Sequence, residues 1–367
     1  MKIGILGGGQ LARMLAQAAT SIGYQTLCID PNPVASAKAV TQVIHAELTD
    51  KQALSQLAKD VDVITFETEN IPQTTIDFIA TKIPLSPDPN ALKICQDRFL
   101  EKNFCNKLNI PTADFWKVDS FNDLLEAIEQ CGYPALLKTR RFGYDGKGQF
   151  KITAPDELHT VWQDCQQKDL ILEHWVDYRK ELSCLGVCTN QQKFATYPII
   201  ENHHINGILH TSTVANDCSP LIRQLAEQYT QKIMEKFNYC GVLAVEFFQL
   251  NNEKLIVNEI APRVHNSGHW TIEGASCSQF ENHIRAVTNL PIGSCAAIGY
   301  TTMINAIGTL PSLQEMLAIR DCHWHAYGKA ARPKRKLGHA TIHSENFENL
   351  QNSLSKALLI KPFDRGC

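Results

Sequence analysis

No apolar run among the 367 residues approaches the roughly 20 that a helix needs to cross a bilayer, so a membrane-embedded protein is not expected. The thirteen cysteines are scattered from Cys28 to Cys367 without one Cys-x-x-Cys, and only Cys184 and Cys188 lie close together. Such scatter suits reduced thiols in a cytosolic protein better than a disulfide framework or a thiolate zinc site. Strong charge of either sign is also missing. A net charge of -3 and a pI near 6.5 argue against broad binding to nucleic acid or to an acidic membrane, and point to small molecules as partners. Internal repeats and low-complexity tracts are lacking too. The opening MKIGILGGGQLARMLAQAA carries the lysine and small residues of a secretory signal, but three successive glycines and Arg13 interrupt its apolar core, so export is not expected.

What is present is ordinary globular composition, 44% hydrophobic and 20% charged, in a chain long enough for two or three domains. KIGILG at residues 2–7 is β-rich and is followed by glycines and then by the helical spacing Leu11, Met14, Leu15, Ala18. The strand candidates QTLCID (25–30) and DVITFE (62–67) flank a helical stretch at 51–58. That alternation predicts an α/β unit with a parallel, doubly wound sheet. IPLSPDPNAL (83–92) holds three prolines in six residues and reads as a domain boundary. Beyond it the pattern predicts helices over 91–108, 121–131, 157–167 and 221–237. PALLKT and GQFKIT read as strands joined by a glycine loop, and VLAVEFFQL and LIVNEIA as a hairpin. A shorter mixed segment past Pro291 ends in the basic cluster ARPKRKLGH.

Four motifs carry chemistry. RRFGYDGKGQF (140–150) has the glycines and lysine of a phosphate loop but fails the P-loop pattern twice, with Arg141 where glycine is required and Gly148 where Ser or Thr is required. Gly7-x-Gly9-x-x-Ala12, with Asp30 ending the second strand, is a variant of the dinucleotide fingerprint, a pattern that also serves any phosphate at a helix N-terminus or simply a tight turn. In the hairpin, a four-residue connection at 251–254 sets Leu250 against Leu255 and Glu246 against Glu259, with Ala244, Phe248, Val257 and Ala261 beside them. Facing carboxylates repel unless a cation lies between them, and with triphosphate oxygens they form the hard donor set that magnesium prefers. APRVHNSGHW then sets Arg263, His265 and Asn266 next to that pair, donors suited to a small anion or a developing phosphoryl charge. His265 and His269 have metal-ligand spacing on a helix, but Pro262, Asn266, Ser267 and Gly268 predict a loop there rather than a zinc site.

Taken in order, GGGQLARM, TFETENI, GYDGKGQ, LEHWV, YPIIENHH, NEIAPRVHNSGHW and RPKRKLGH resemble the ATP-grasp ligases. Within them they are most similar to the N5-carboxyaminoimidazole ribonucleotide synthetases of purine biosynthesis. The likeness spans residues 4–339, and NEIAPRVHNSGHW is its most specific piece. It implies an N-terminal Rossmann-like domain over 1–91, an ATP-grasp domain over 92–290 with a mobile lid at about 111–176, and a small C-terminal α+β or β part over 291–367. It implies a cytoplasmic, homodimeric carbon-nitrogen ligase that uses ATP and Mg2+ to carboxylate 5-aminoimidazole ribonucleotide with bicarbonate through carboxyphosphate.

The resemblance also assigns residues. Arg98 and Lys138 would meet ATP phosphates, and the loop Gly143, Tyr144, Asp145, Gly146, Lys147, Gly148, Gln149 would close over them. Glu173, His174, Trp175 and Val176 form the adenine hinge, with Glu173 and Val176 acting mainly through backbone groups. Glu181 would take the ribose hydroxyls, and His204 and Asn258 would line the nucleotide site. Glu246 and Glu259 would hold the metal. Arg263, His265 and Asn266 would cradle bicarbonate and carboxyphosphate, and Tyr144 and Asp145 would face the aminoimidazole. For the ribonucleotide phosphate the resemblance points to Lys329, Arg335 and Lys336 with amides of Gly8, Gly9, Gln10 and Leu11, and with Glu67 nearby. The chain departs from the family pattern in having Ala261 where Glu-x-Asn is common, and Ala12 and Lys334 where glycine is common. Three alternatives differ in class or substrate: a formate-using glycinamide ribonucleotide transformylase, an NAD-dependent oxidoreductase using the first glycine loop, and a nucleotide-binding module without catalysis.

Overall fold

A computed structural model describes residues 1–143, 146–165 and 169–363, and the counts below are of those residues. The first sheet is parallel and four-stranded, in the order Gln42–His45, Gln25–Asp30, Lys2–Leu6, Val63–Phe66. Its central strands are nearly continuous apolar runs, and Ile3, Ile5, Leu6, Ile29, Ile64 and Phe66 are fully buried, as strands covered on both faces require. The helix Gln10–Ser21 follows the first strand through Gly7, whose φ of +97° suits a residue without Cβ, and buries the Leu11, Met14, Leu15 and Ala19 stripe. The carboxyl ends of these strands bring Gly7 to Gly9, Asp30 and Glu67 together at one edge.

The single helix expected over 91–108 is two helices, Pro89–Cys95 and Arg98–Lys107. Asp97 divides them. Its backbone is extended, and its carboxylate caps the second helix by accepting from the amides of Phe99 (3.0 Å) and Leu100 (3.3 Å). Arg140 grips the same carboxylate, Nε to Oδ1 at 3.0 Å and Nη2 to Oδ2 at 2.5 Å. The helical spacing continued across this point, but a capping aspartate bound by a distant arginine outweighs it.

A second sheet, antiparallel, runs Phe115–Val118, Leu170–His174, Ala135–Thr139, Gln149–Ile152. The helix Phe121–Cys131 covers it, opened by a Ser120/Asp123 capping box and closed at Gly132, and Leu124, Ile128, Leu137 and Leu172 give it a core of its own. The third sheet has nine strands, and at one end of it the hairpin Gly241–Gln249 and Leu255–Ala261 lies with Lys180–Cys188 alongside. The C-terminal strands Tyr300–Ile307, Cys322–Ala326 and Lys336–Ser344 continue this sheet, because Tyr300–Ile307 pairs with Ile208–Val214. The last helix, Phe347–Leu358, packs beneath them through Leu350 and Ala357.

Candidate active site

One large cavity, about 1090 Å³, is lined by strands of the second and third sheets and by the segments that follow two strands of the first. On its floor Glu246 stands opposite Glu259, as the hairpin reading required, but the register reaches that pairing by a different route. Gln249 pairs with Leu255, Phe248 with Ile256 and Phe247 with Val257, so the turn is one residue longer than the expected four, with Glu253 at φ +58°. A bulge at Asn258 absorbs the slip. Leu250 therefore does not face Leu255, nor Phe248 Val257, whereas Glu246 meets Glu259 and Ala244 meets Ala261 as expected. Burial pushes the Glu246 carboxyl up, and the neighbouring negative charge of Glu259 pushes it further. Among the described residues no cluster of three or more His, Cys, Asp or Glu side chains could hold a metal by itself. A pair of facing, half-buried carboxylates open to the cavity nevertheless fits magnesium whose other ligands are phosphate oxygens and water.

The expected cations gather around this pair. Arg98 Nη1 lies 3.1 Å from Glu259 Oε2, and its Nη2 donates to the carbonyl of Gly143 at 3.3 Å, joining the carboxylate to the start of the glycine loop. Lys138 Nζ donates to Glu173 Oε2 at 2.8 Å. The backbone of the loop returns through Gly146 and Gly148, both at positive φ, and a Cβ on Gly148 would stand 2.5 Å from Thr139 Oγ1, which explains glycine there. Gly143, Gly146, Lys147 and Gln149 line the cavity. Tyr144 and Asp145 lie outside the described residues.

The hinge residues Glu173, His174, Trp175 and Val176 also line it. The Glu173 carboxylate is engaged in its own right: burial opposes its charge, but Lys102, Lys138 and Arg98 outweigh burial and hold its pKa down at about 2. Glu181 receives the Tyr178 hydroxyl on one oxygen and stands against His204 Nδ1 on the other, and Tyr178 stacks on Phe248 with ring centroids 4.4 Å apart. Asn258 reaches the same wall from the bulge.

In the loop after the hairpin, Arg263 is held by Glu69 through Nε and through Nη2 at 3.1 Å. His265 takes the Ser267 amide at Nδ1 (3.3 Å), so its proton belongs on Nε2, which lies 3.5 Å from Glu246 Oε1. Burial, reinforced by nearby cations, keeps this ring neutral. Asn266 exchanges hydrogen bonds with the Asn305 amide at 2.6 and 3.1 Å. The segment Asn266–Gly268 is a short 3₁₀ turn, as the loop reading expected, and His269 Nδ1 lies 3.3 Å from Gln279 Nε2 with its ring beside that of His339.

The first glycine loop requires a correction. The Gly8 amide donates to Asp30 Oδ2 (2.6 Å), and those of Gly9 and Ala12 donate to Glu67 (2.6 and 2.9 Å). Protein carboxylates thus occupy the helix N-terminus where a phosphate was expected, and a Cβ on Gly9 would lie 2.4 Å from Glu67 Oε1. Asp30, spent on Gly8, is not the ribose acceptor of a dinucleotide site. Gln10, Leu11, Glu67, Lys329, Arg335 and Lys336 remain on the cavity wall, and Lys329 donates to Gln10 Oε1. Burial brings the Lys329 pKa down to about 8, against the pull of Glu67. Lys334, where the family pattern has glycine, sits at φ +63°, a conformation that explains the family's preference.

Sequence reasoning missed Glu69, Glu101, Lys102, Gln279 and Asn305. Glu101 accepts the Ile260 amide at 3.0 Å, and burial together with Glu259 raises its pKa to about 8. Gln279 bonds both the amide (2.9 Å) and the carbonyl (2.7 Å) of His265. A signal existed for two of these: Arg98, Glu101, Lys102 and Cys105 form the buried stripe of their helix, and three charges in such a stripe mark a polar site.

Residues 1–96 match the ribonucleotide synthetase preATP-grasp domain, residues 103–280 the ATP-grasp domain, and residues 301–353 the phosphoribosylaminoimidazole carboxylase C-terminal domain. The chain is 45% identical over 356 residues to the N5-carboxyaminoimidazole ribonucleotide synthase of Pseudomonas aeruginosa, covering 97% of this chain and 98% of that protein. Its fold is similar to the N5-carboxyaminoimidazole ribonucleotide synthetase of Thermus thermophilus, with a TM-score of 0.93 and 43% identity over 97% of this chain and 98% of that one. It is also similar, with a TM-score of 0.89 and 30% identity over 97% and 98% of the two chains, to the Aspergillus clavatus synthase solved with ADP and 5-aminoimidazole ribonucleotide.

Proposed function

The chain belongs to the N5-carboxyaminoimidazole ribonucleotide synthase family, ATP-dependent carbon-nitrogen ligases of purine biosynthesis, and we propose that its cavity carries out the carboxylation by way of bicarbonate and carboxyphosphate. The observation that carries this reading is the pairing of Glu246 with Glu259 beside Arg98 and Lys138 in a single cavity. Phosphoryl transfer needs fixed cations and a metal clamp more than covalent chemistry, and this set supplies both.

In the proposed sequence a bicarbonate oxygen attacks the γ-phosphorus and the bond to the β-γ bridging oxygen breaks, which gives ADP and carboxyphosphate. Carboxyphosphate then breaks its carbon-oxygen bond, releasing phosphate, while the amine nitrogen of the aminoimidazole takes the carbon and loses a proton to give the carbamate. Arg98 and Lys138 offset phosphate charge, and the glycine loop closes over it with its backbone amides. Glu246 and Glu259 would hold magnesium, which when bound neutralises the phosphate oxygens and polarises the γ-phosphoryl group. Arg263 and the neutral His265, whose Nε2 carries the proton, face the region where carboxyphosphate would form. Lys329, Arg335 and Lys336 are the cations for the ribonucleotide phosphate, with Gln10 and Leu11 beside them. Domain limits at 91 and 290, a lid over 111–176, and a cytoplasmic homodimer belong to the same proposal.

The test is ADP release with magnesium and 5-aminoimidazole ribonucleotide. Release that requires both the ribonucleotide and bicarbonate supports the reading. Release that needs formate instead, or none from folded protein, removes it.

A further inference from the structure

In the cavity wall lies a buried triad, Lys138, Glu173 and Lys102, whose third member stands behind the lining and has no part in the reaction as proposed. Glu173 Oε2 lies 2.8 Å from Lys138 Nζ and 3.5 Å from Lys102 Nζ, and the three side chains are only 2 to 5% exposed. The other oxygen, Oε1, is buried and without a hydrogen-bond partner among the described residues. Lys102 sits one turn after Arg98 on the same helix and makes one further contact, 3.5 Å to the carbonyl of Asn258 in the bulge. Two lysines in so dry a place are costly, and packing alone would favour an apolar side chain at 102.

The charge count gives the second lysine a purpose. Were Lys138 the sole partner of Glu173, the pair would be neutral, and a phosphate approaching Lys138 would have to compete with a carboxylate at hydrogen-bond distance. With Lys102 sharing that carboxylate the triad carries a net positive charge; Lys138 and Glu173 line the cavity, and Lys102 stands behind them, outside its lining. Arg98 also favours the Glu173 charge, but less than either lysine, and its own hydrogen bonds go to Glu259 and Gly143.

We infer that Lys102 is a positioning residue for nucleotide binding: it neutralises Glu173 from behind and so leaves the charge of Lys138 available to ATP phosphates. The inference rests on the reading of Lys138 as a phosphate ligand. It is tested by titrating ADP, in the presence of magnesium, into the full-length wild type and the Lys102→Met, Glu173→Gln, Lys102→Met/Glu173→Gln and Lys138→Met variants in a calorimeter. Lys102→Met should weaken ADP binding roughly tenfold or more, the scale of one charge-assisted hydrogen bond. Adding Glu173→Gln should restore it to within about threefold of wild type, a rescue that a merely structural lysine would not show. Glu173→Gln alone should tighten ADP binding, and this holds the inference to account even where Lys102→Met fails to fold. Wild-type affinity in Lys102→Met, a double variant as weak as Lys102→Met, or weaker binding in Glu173→Gln would each overturn it. Unaltered binding in Lys138→Met would remove the underlying reading instead.

Discussion

Glu246 and Glu259 are a pair that the folded protein has reason to avoid, since facing carboxylates repel and burial strengthens the repulsion. Such a pair is economical only where a cation belongs to the working state. Glu259→Ala should therefore abolish ATP-dependent turnover while the protein keeps a single cooperative thermal transition, measured by ADP release and by scanning calorimetry. Retained turnover would contradict the metal role. The pair was legible because like charges opposite each other are rarely accidental. The supports of the neighbouring Arg263, His265 and Asn266 were not, because Glu69, Gln279 and Asn305 act across 14 to 194 positions of chain and carry no local pattern. Glu67 shows the opposite case: its place near the substrate side was legible, but its actual partners, the amides of Gly9 and Ala12, are backbone groups that no side-chain motif announces.

Among elements, the helix Gln279–Val287 shows how pH sensitivity is built into the packing. Its His283 accepts the Val242 amide at Nδ1 (3.1 Å) and meets Thr65 Oγ1 through Nε2 (2.8 Å), tying the first sheet to the third. Burial lowers the His283 pKa to about 3. His265, His269 and His339 are also pushed well below the ordinary value, by burial first and by neighbouring positive groups second. These rings stay neutral in the folded protein, whereas in the unfolded chain they take up protons as the pH falls through about 6.5. The unfolded state then binds more protons, so stability falls with falling pH, by up to ~1.4 kcal/mol per pH unit for each histidine. The raised carboxyls of Glu101 and Glu246 act in the opposite sense near neutrality, so the histidines dominate only lower down: urea denaturation should show the midpoint dropping between about pH 6 and 5, and a flat profile there would contradict the assignment. Elements were read well where one periodicity ran from cap to cap, as in Phe121–Cys131 and the strands of the first sheet. They were misread at Asp97 and at the 250–254 turn, where a distant arginine and a bulge decide the outcome.

For the molecule as a whole, the three sheets are arranged around one cavity. The parallel sheet and the basic segment 329–336 border one side of the cavity, the small antiparallel sheet borders the other, and the carboxylate hairpin forms the floor. The alternation of strands and helices made the α/β class legible, and the run of prolines at 83–92 coincides with the passage from the first sheet to the helices that carry Arg98. That Tyr300–Ile307 pairs with Ile208–Val214 was not legible, since strand partners about ninety residues apart leave no local trace. On the proposed reading the cavity receives two phosphate-bearing substrates with a small anion between them, and the central claim is that bicarbonate, once phosphorylated, is what passes from one to the other. That claim is tested most directly with ¹⁸O-bicarbonate, by mass spectrometry of the phosphate released during turnover with ATP, magnesium and 5-aminoimidazole ribonucleotide. Attack of a bicarbonate oxygen on the γ-phosphorus predicts one ¹⁸O in each phosphate; unlabelled phosphate accompanying ADP would contradict it.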